Sequence, residues 1–291
     1  MTIQWITEAP DTRPGSGLNT KIFAGGKAHL VYVVNNQLTY AIGSPGQLFV
    51  ILIGGGPVAS QVYQWIRHDN VLPSLQGNAV IQFDLALDSR GRTHLCFQGM
   101  QDQMTLGGVR HAVWDGSHFV PSPDVLCKPA PSTRGSGVAM AIAKDDAVHI
   151  AFFDSEWLGL RYATRAHDSD PFQIEDIDLL AGPYSSPSIA VGSGGEIGIS
   201  YIVGTAWPHY ALKYAEKMPS GWVTDTADPD TVPPMASTSP QLITNSLVID
   251  ANGVPHIAFF SGASGGPGIR HATWTTAGRS FWAIKIGRAH V

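Results

Sequence analysis

The sequence predicts an all-β fold, a five-bladed β-propeller, from three observations: a repeated pair of short apolar runs, turns rich in glycine and aspartate, and no helical periodicity. The pair is clearest in Val148–Thr164, which reads VHIAFFDSEWLGLRYAT. Related pairs begin near His29, His94, Gly198 and His256. A supersecondary unit that recurs about every fifty residues is typical of propellers and solenoids.

Each repeat extends on both sides of this pair into four predicted strands. The first strand lies upstream, as in Phe83–Leu87, and a turn of residues that accept positive φ follows it, as in Asp250–Gly253. The two apolar runs form the second and third strands. The fourth strand often carries a tryptophan, such as Trp65 or Trp222. Four short antiparallel strands, repeated five times, predict five blades in one domain spanning residues 1–291.

Two stretches depart from this plan. Ser44–Ser60 is predicted to be an insertion between the third and fourth strands of blade one. Ile3–Thr7 has the character of a fourth strand, although Phe281–Ile286 already supplies the fourth strand of the last blade. The N-terminal segment is therefore either an extra edge strand on the last blade or the remnant of a sixth blade.

Composition and charge exclude several classes of protein. Charged residues make up 14% of the chain and the net charge is −5, with no basic stripe, so neither nucleic acid nor a membrane surface is an expected partner. No apolar run approaches the roughly 18 residues of a transmembrane helix, and the N-terminus lacks a signal peptide's apolar stretch. Two cysteines, Cys96 and Cys127, form no disulfide framework. We expect a cytoplasmic protein with free thiols, with one disulfide as the alternative.

One histidine opens the second strand in four of the predicted blades: His29, His94, His149 and His256. Because the ring symmetry of a propeller separates these positions, they do not converge as metal ligands must. We expect each imidazole to bridge a hairpin turn and the neighbouring blade through its two nitrogens. The sequence therefore predicts neither a bound metal nor a cofactor.

A cation occupies the third strand in four of the predicted blades: Arg110, Arg161, Lys213 and Arg270. We expect these side chains to form ion pairs between blades while their apolar stems pack on the sheet. An arginine triad that grips a ligand carboxylate is the alternative.

The candidate functional residues lie in loops that join second to third strands, or one blade to the next, because both sets emerge on one face. The predicted ligand contacts are Trp157, Trp207, Tyr210, Met100, Asp102, Asp69, Arg134 and Tyr184. The predicted acid–base groups are His209, His68, Asp154 and Glu156. A mostly apolar site with a few polar groups is typical of a small-molecule pocket. Alternatively, the two tryptophans fill the central channel.

The framework resembles that of two known propeller families. Short blades with a histidine-led second strand and an I/L-R third strand, as in Leu160-Arg161 and Ile269-Arg270, resemble sialidase-like and fungal fucose-lectin-like propellers. The resemblance covers nearly the whole chain and implies the fold. The sialidase Asp-box, S-x-D-x-G-x-x-W, is missing, because Asp88–Gly91 is followed by Thr93-His94 rather than by a tryptophan.

Three functions fit these observations. The favoured hypothesis is one asymmetric, partly apolar small-molecule site, in a metal-free enzyme of the lyase, isomerase or cyclase type. The first alternative is a lectin with sugar sites between blades. The second is a glycoside hydrolase, for which the loop carboxylates would supply a pair. A lectin with several equivalent sites should repeat its binding residues, whereas the loops here differ between blades, which favours the single site.

Overall fold

Each blade is an antiparallel sheet whose four strands follow one another in the chain, which confirms the five-bladed β-propeller. The computed structural model describes residues 16–22, 27–34, 37–53, 56–72, 80–100, 105–131, 137–154, 156–179, 187–206, 209–229, 245–261, 268–275 and 278–286. Within these ranges the chain forms strands and turns, and it contains no helix that could cross a membrane.

The strand bounds follow the predicted repeat. Blade one contains β1 (Ser16–Ile22), β2 (Ala28–Val34), β3 (Gln37–Ile53) and β4 (Gly56–His68). Blade two contains β5 (Val80–Leu87), β6 (Thr93–Met100), β7 (Thr105–Trp114) and β8 (Phe119–Val125), and the short β9 (Ala130–Pro131) pairs with the start of β7. Blade three contains β10 (Val138–Ile142), β11 (Val148–Asp154), β12 (Gly159–Arg165) and β13 (Gln173–Asp178).

The last two blades have the same order. Blade four contains β14 (Ser188–Val191), β15 (Ile197–Ala206), β16 (His209–Met218) and β17 (Gly221–Asp228). Blade five contains β18 (Asn245–Ile249), β19 (Pro255–Ser261), β20 (Gly268–Thr275) and β21 (Gly278–Ile286). The first strands β1, β5, β10, β14 and β18 contact one another in succession, so they are the innermost strands.

Blade one corrects one prediction. Ser44–Ser60 is not a separate insertion, because β3 and β4 both extend through it as one long hairpin, in which Ile53 pairs with Gly56. The apolar run Leu48–Ile53 is rich in β-formers, which favours continued strand pairing over a loop. The other irregular segment, Ile3–Thr7, lies outside the described residues.

The hydrophobic core lies between neighbouring sheets rather than in one centre. One cluster joins Tyr40 of blade one to Phe97 of blade two, and another joins Leu212 of blade four to Phe259 of blade five. Equivalent clusters fill the interfaces between blades two and three and between blades three and four. Each blade therefore depends on its neighbours, as expected for a repeat that cannot bury both of its faces alone.

The second-strand histidines bond to an aromatic residue or a histidine on the adjacent third strand. His29 Nδ1 lies 2.6 Å from Tyr40 Oη, which lies 2.6 Å from Thr93 Oγ1 in blade two. His29 is therefore linked to blade two through Nδ1 and Tyr40, whereas the sequence-based prediction is a bridge through both of its ring nitrogens. In blade four the histidine is replaced by Gly198, where a Cβ atom would collide with the hydroxyl of Tyr214. The tyrosine therefore fills the space that the histidine occupies elsewhere.

The corresponding histidine of blade two belongs to a buried chain of hydrogen bonds that reaches blade three. Arg165 Nη2, which can only donate, lies 3.2 Å from His111 Nδ1. His111 must therefore carry its proton on Nε2, 3.1 Å from His94 Nδ1, and His94 in turn carries its proton on Nε2. That nitrogen faces Asp88 Oδ2 at 3.5 Å. Both imidazoles are consequently neutral in this arrangement.

We expect the free energy of unfolding to decrease as the pH falls below about 6.5, the ordinary histidine pKa. Burial lowers the pKa of His29, His94 and His149, and burial together with Arg165 lowers the pKa of His111 well below its ordinary value. The unfolded chain therefore binds these protons first. The contribution of these histidines to stability is fully present above pH 6.5 and is lost as the pH falls towards the folded-state pKa values, by at most about 1.4 kcal/mol per histidine and pH unit.

Urea unfolding between pH 8 and pH 5.5 measures this dependence. His111→Gln should make the profile shallower than that of the wild type, whereas His118→Gln, at a more exposed position in the turn between β7 and β8, should not. A stability that is constant over this range would show that the imidazoles are not held neutral.

Candidate functional site

The turn between β11 and β12 in blade three lies on the predicted functional face. Asp154, at the end of β11, is 1% exposed. Its Oδ1 atom accepts hydrogen bonds from the backbone N–H groups of Glu156 at 3.0 Å and Trp157 at 3.4 Å. Its Oδ2 atom accepts one from Arg161 Nη1 at 3.1 Å. Asp154 therefore holds the turn in shape, and its oxygens are occupied in the folded protein.

Trp157 projects from this turn and is 63% exposed. The next residue, Leu158, has a left-handed backbone conformation with φ of 55° and is also exposed. A Cβ atom at Gly159 would lie 3.0 Å from Cα of Leu179, an exposed residue just after β13. We call Trp157, Leu158 and Leu179 the Trp157 patch. It is an apolar surface on a turn whose backbone is held by hydrogen bonds to Asp154.

Charged side chains surround the Trp157 patch in pairs. Lys128, which follows β8 of blade two, places Nζ 3.5 Å from Glu156 Oε1. Arg161 donates to Asp154 and also, through Nε, to Asp176 Oδ1 at 2.7 Å. The patch therefore lies where blade three meets the loop that leaves blade two. Among the described residues, its polar surroundings include Glu156 with Lys128, Asp154 and Asp176 with Arg161, and, next to Leu179, the pair of Asp178 and Lys213.

The two cysteines are buried and free, as expected from the sequence. Cys127 lies next to Lys128, and its sulfur accepts a hydrogen bond from the backbone N–H of Val109 at 3.3 Å. Burial raises the pKa of the Cys127 thiol to about 11. Because the thiolate is the reactive form, this cysteine is not a nucleophile at neutral pH.

His68 and Asp69, two other predicted site residues, lie near the junction of blades one and two and not at the Trp157 patch. The ring of His68 packs against Trp114, with ring centroids 4.9 Å apart. Asp69 accepts a hydrogen bond from Thr39 at 3.3 Å and pairs with Arg67 at 3.4 Å. The structure thus brings Asp154, Glu156 and Trp157 together and places His68 and Asp69 elsewhere.

Tyr210 is positioned differently from the prediction that it lines an open site. It is 6% exposed and belongs to the core cluster between blades four and five, because β16 places its ring against the neighbouring sheet. Met100 ends β6 and His209 begins β16, which places both at the predicted loop face. The remaining predicted contacts lie outside the described residues: Trp207, Asp102, Arg134 and Tyr184.

The third-strand cations confirm the predicted ion pairs between blades in two cases. Lys213 of blade four contacts Asp178 of blade three at 2.8 Å, and Arg270 of blade five lies 3.5 Å from Asp228 of blade four. Arg161 differs, since both of its partners belong to its own blade. In blades four and five the preceding blade supplies the carboxylate, whereas in blade three Asp154, at the end of β11, takes this place.

In the part of the chain that the structure describes, no three histidine, cysteine, aspartate or glutamate side chains are grouped as a metal site would require. The sequence-based expectation of a protein without bound transition metal stays a prediction, which elemental analysis of the purified protein would test.

No family model and no curated protein match this chain. Solved structures do match it. An α-L-arabinanase of Penicillium chrysogenum, complexed with arabinobiose, is 12% identical with a TM-score of 0.55, and the match covers 93% of this chain and 80% of the arabinanase. A variant of the Aleuria aurantia lectin, in complex with Fucα1-6GlcNAc, is 14% identical with a TM-score of 0.50, covering 94% and 97% of the two chains.

The Hadza microbial sialidase Hz136 is 12% identical with a TM-score of 0.52, and the match covers 94% of this chain. This chain spans only 58% of the length of that sialidase. At these identities the similarity is one of fold. It confirms the resemblance to sialidase and fucose-lectin propellers that the repeated framework indicates.

Proposed function

We propose that the protein binds carbohydrate at the Trp157 patch, with the indole of Trp157 as a platform for the apolar face of a sugar ring. The observation that carries this proposal is the 63% exposure of a tryptophan on a turn fixed by Asp154. Large aromatic side chains are mostly buried, and an exposed one on an ordered turn supports a binding role. Its large flat surface is ready for stacking without prior rearrangement.

The polar groups around the indole support the same proposal. Glu156 is adjacent in the chain, and its side chain is 42% exposed, so its oxygens can accept hydrogen bonds from sugar hydroxyls. The arabinanase and the fucose lectin share the fold and hold arabinobiose and Fucα1-6GlcNAc, which makes these two sugars the first ligands to test.

Titration of the protein with arabinobiose and Fucα1-6GlcNAc, followed by tryptophan fluorescence, tests the proposal, and a wider glycan array extends it. We expect saturable binding of at least one neutral or acidic glycan and a change in indole emission, because Trp157 leaves water on binding. Absence of binding to every glycan at millimolar concentration would contradict a carbohydrate site.

An enzyme that acts on the bound sugar is the second candidate, of the metal-free lyase, isomerase or cyclase type. It is favoured by the difference between the loops of successive blades, since DSEWLG of blade three has no counterpart in SGASGGPG of blade five. Asp154 is a poor candidate for the acid, because its oxygens already accept three hydrogen bonds. In this candidate Glu156 transfers the proton, and Glu156→Gln abolishes turnover of the bound glycan in a chromatographic product assay.

A further inference from the structure

We infer that the carbohydrate bound at the Trp157 patch is a neutral sugar, and that Glu156 selects it by accepting hydrogen bonds from its hydroxyl groups. This inference rests on the proposed function and concerns the chemical class of the ligand. Some charges beside the indole are already neutralised by ion pairs within the protein, whereas others face the solvent. This difference decides which class of sugar fits the site.

Among the described residues, the cation most firmly fixed beside the patch is Arg161. Its guanidinium is engaged twice, by Asp154 at 3.1 Å and by Asp176 at 2.7 Å, and its side chain is 22% exposed. A ligand carboxylate at Arg161 would have to displace Asp176 and then meet the charge of Asp154. The guanidinium therefore serves to position the turn through Asp154 rather than to receive an anionic sugar.

Among the described residues, the available charges beside the indole are Glu156 and its partner Lys128, and Glu156 is the nearer of the two along the chain, whereas Lys128 belongs to the loop that leaves blade two. Glu156 precedes Trp157 directly, and its contact with Lys128 is long, at 3.5 Å, between side chains that are 42% and 78% exposed. An exposed ion pair of this kind is weak and yields readily to a ligand. A neutral sugar would offer hydroxyl donors to Glu156, whereas a uronate or sialate would bring a like charge beside it.

The sign of one substitution distinguishes the two ligand classes. In Glu156→Gln, the affinity for a neutral glycan should decrease at least fivefold, because an amide accepts fewer and weaker hydrogen bonds than a carboxylate. The affinity for an acidic glycan should instead increase, because a like charge is removed. The matched control is Asp145→Asn, which removes a carboxylate from the turn at the opposite end of blade three.

The experiment measures Kd for arabinobiose and Fucα1-6GlcNAc as neutral probes, and for sialyllactose and a glucuronic acid-terminated disaccharide as acidic probes. We expect the wild type to bind a neutral probe with a Kd that changes less than twofold between 20 and 500 mM NaCl, since no ion pair forms with the ligand. Tighter binding of an acidic probe than of a neutral one, a Kd for the neutral probe that rises steeply with salt, or a Glu156→Gln variant whose affinity for the neutral probe is unchanged or higher would each overturn the inference.

Failure of the proposed function has a different signature. If no probe of either class binds, or if Trp157→Ala leaves every affinity unchanged, the carbohydrate site itself is wrong. Tight binding of an acidic probe that Trp157→Ala abolishes would overturn only the neutral class and would keep the site.

Discussion

Replacement of Trp157 with alanine is expected to weaken sugar binding about 30-fold while leaving the free energy of unfolding nearly unchanged. A sugar ring that covers roughly 80 Å² of the indole contributes about 2 kcal/mol at 25 cal/mol per Å². The fold should not suffer, because Trp157 is largely exposed and the turn is held by the hydrogen bonds to Asp154. Calorimetric titration and thermal melts of the same preparation measure both quantities.

The matched control for this variant is Ile66→Ala. Ile66 is 61% exposed, close to the exposure of Trp157, but it lies on the outer strand of blade one. Its loss should affect neither binding nor stability by more than a few tenths of a kcal/mol. An unfolded Trp157→Ala protein would mean that the indole belongs to the framework.

Replacement of Trp222 with alanine should have the opposite pattern, with about 3 kcal/mol lost in stability and an unchanged affinity per folded molecule. Trp222 is on the outer strand β17 of blade four, and its contacts reach blade three. Its ring lies edge-on to Tyr162 with centroids 4.9 Å apart, and its Nε1 donates to Glu175 Oε2 at 3.0 Å. Lys217 Nζ lies 5.5 Å from the ring centroid. Lys217 belongs to blade four, whereas the contacts with Tyr162 and Glu175 join blades three and four.

The Trp222→Phe variant separates the ring contact from the hydrogen bond. It keeps an aromatic ring against Tyr162 and loses the donor to Glu175. Its free energy of unfolding, measured with urea, should therefore be about 1 kcal/mol lower than that of the wild type. If Trp222→Ala instead abolishes sugar binding and leaves the free energy of unfolding unchanged, Trp222 belongs to the binding site and its assignment to blade packing is wrong.

The strands could be predicted because their signals are local. The run HIAFF predicts a strand that the structure places at Val148–Asp154, and LGLRYAT predicts the strand at Gly159–Arg165. Apolar side chains in short runs and turn residues between them act within one hairpin, so the sequence alone contains the information. The recurrence of this hairpin then indicates the number of blades.

The interior contacts of the candidate site could not be predicted in the same way, because they depend on neighbouring strands and blades. Asp154 is an acid–base candidate by residue type, yet pairing with Arg161 and two backbone donors makes it a structural anchor. Tyrosine is a residue type that often contacts ligands, but Tyr210 is covered by the sheet of blade five. Neither outcome follows from the spacing of the residues.

The sequence predicts only part of the buried chain of hydrogen bonds between blades two and three. The repeat identifies His94 as a framework residue, whereas its contacts with His111 and, through His111, with Arg165 depend on pairing between strands and blades. A signal was present, since the residue after the third-strand cation is tyrosine or histidine in each blade that has this cation. Its meaning depends on the pairing of β6 with β7, which brings the two histidines together.

A crystal structure of the protein soaked with the tightest-binding glycan tests the central claim most directly. We predict a neutral sugar stacked on the indole of Trp157 at the junction of blades two and three, with a hydroxyl within hydrogen-bond distance of Glu156. Sugar density in the central channel, or at another blade junction with Trp157 still in water, would contradict the account.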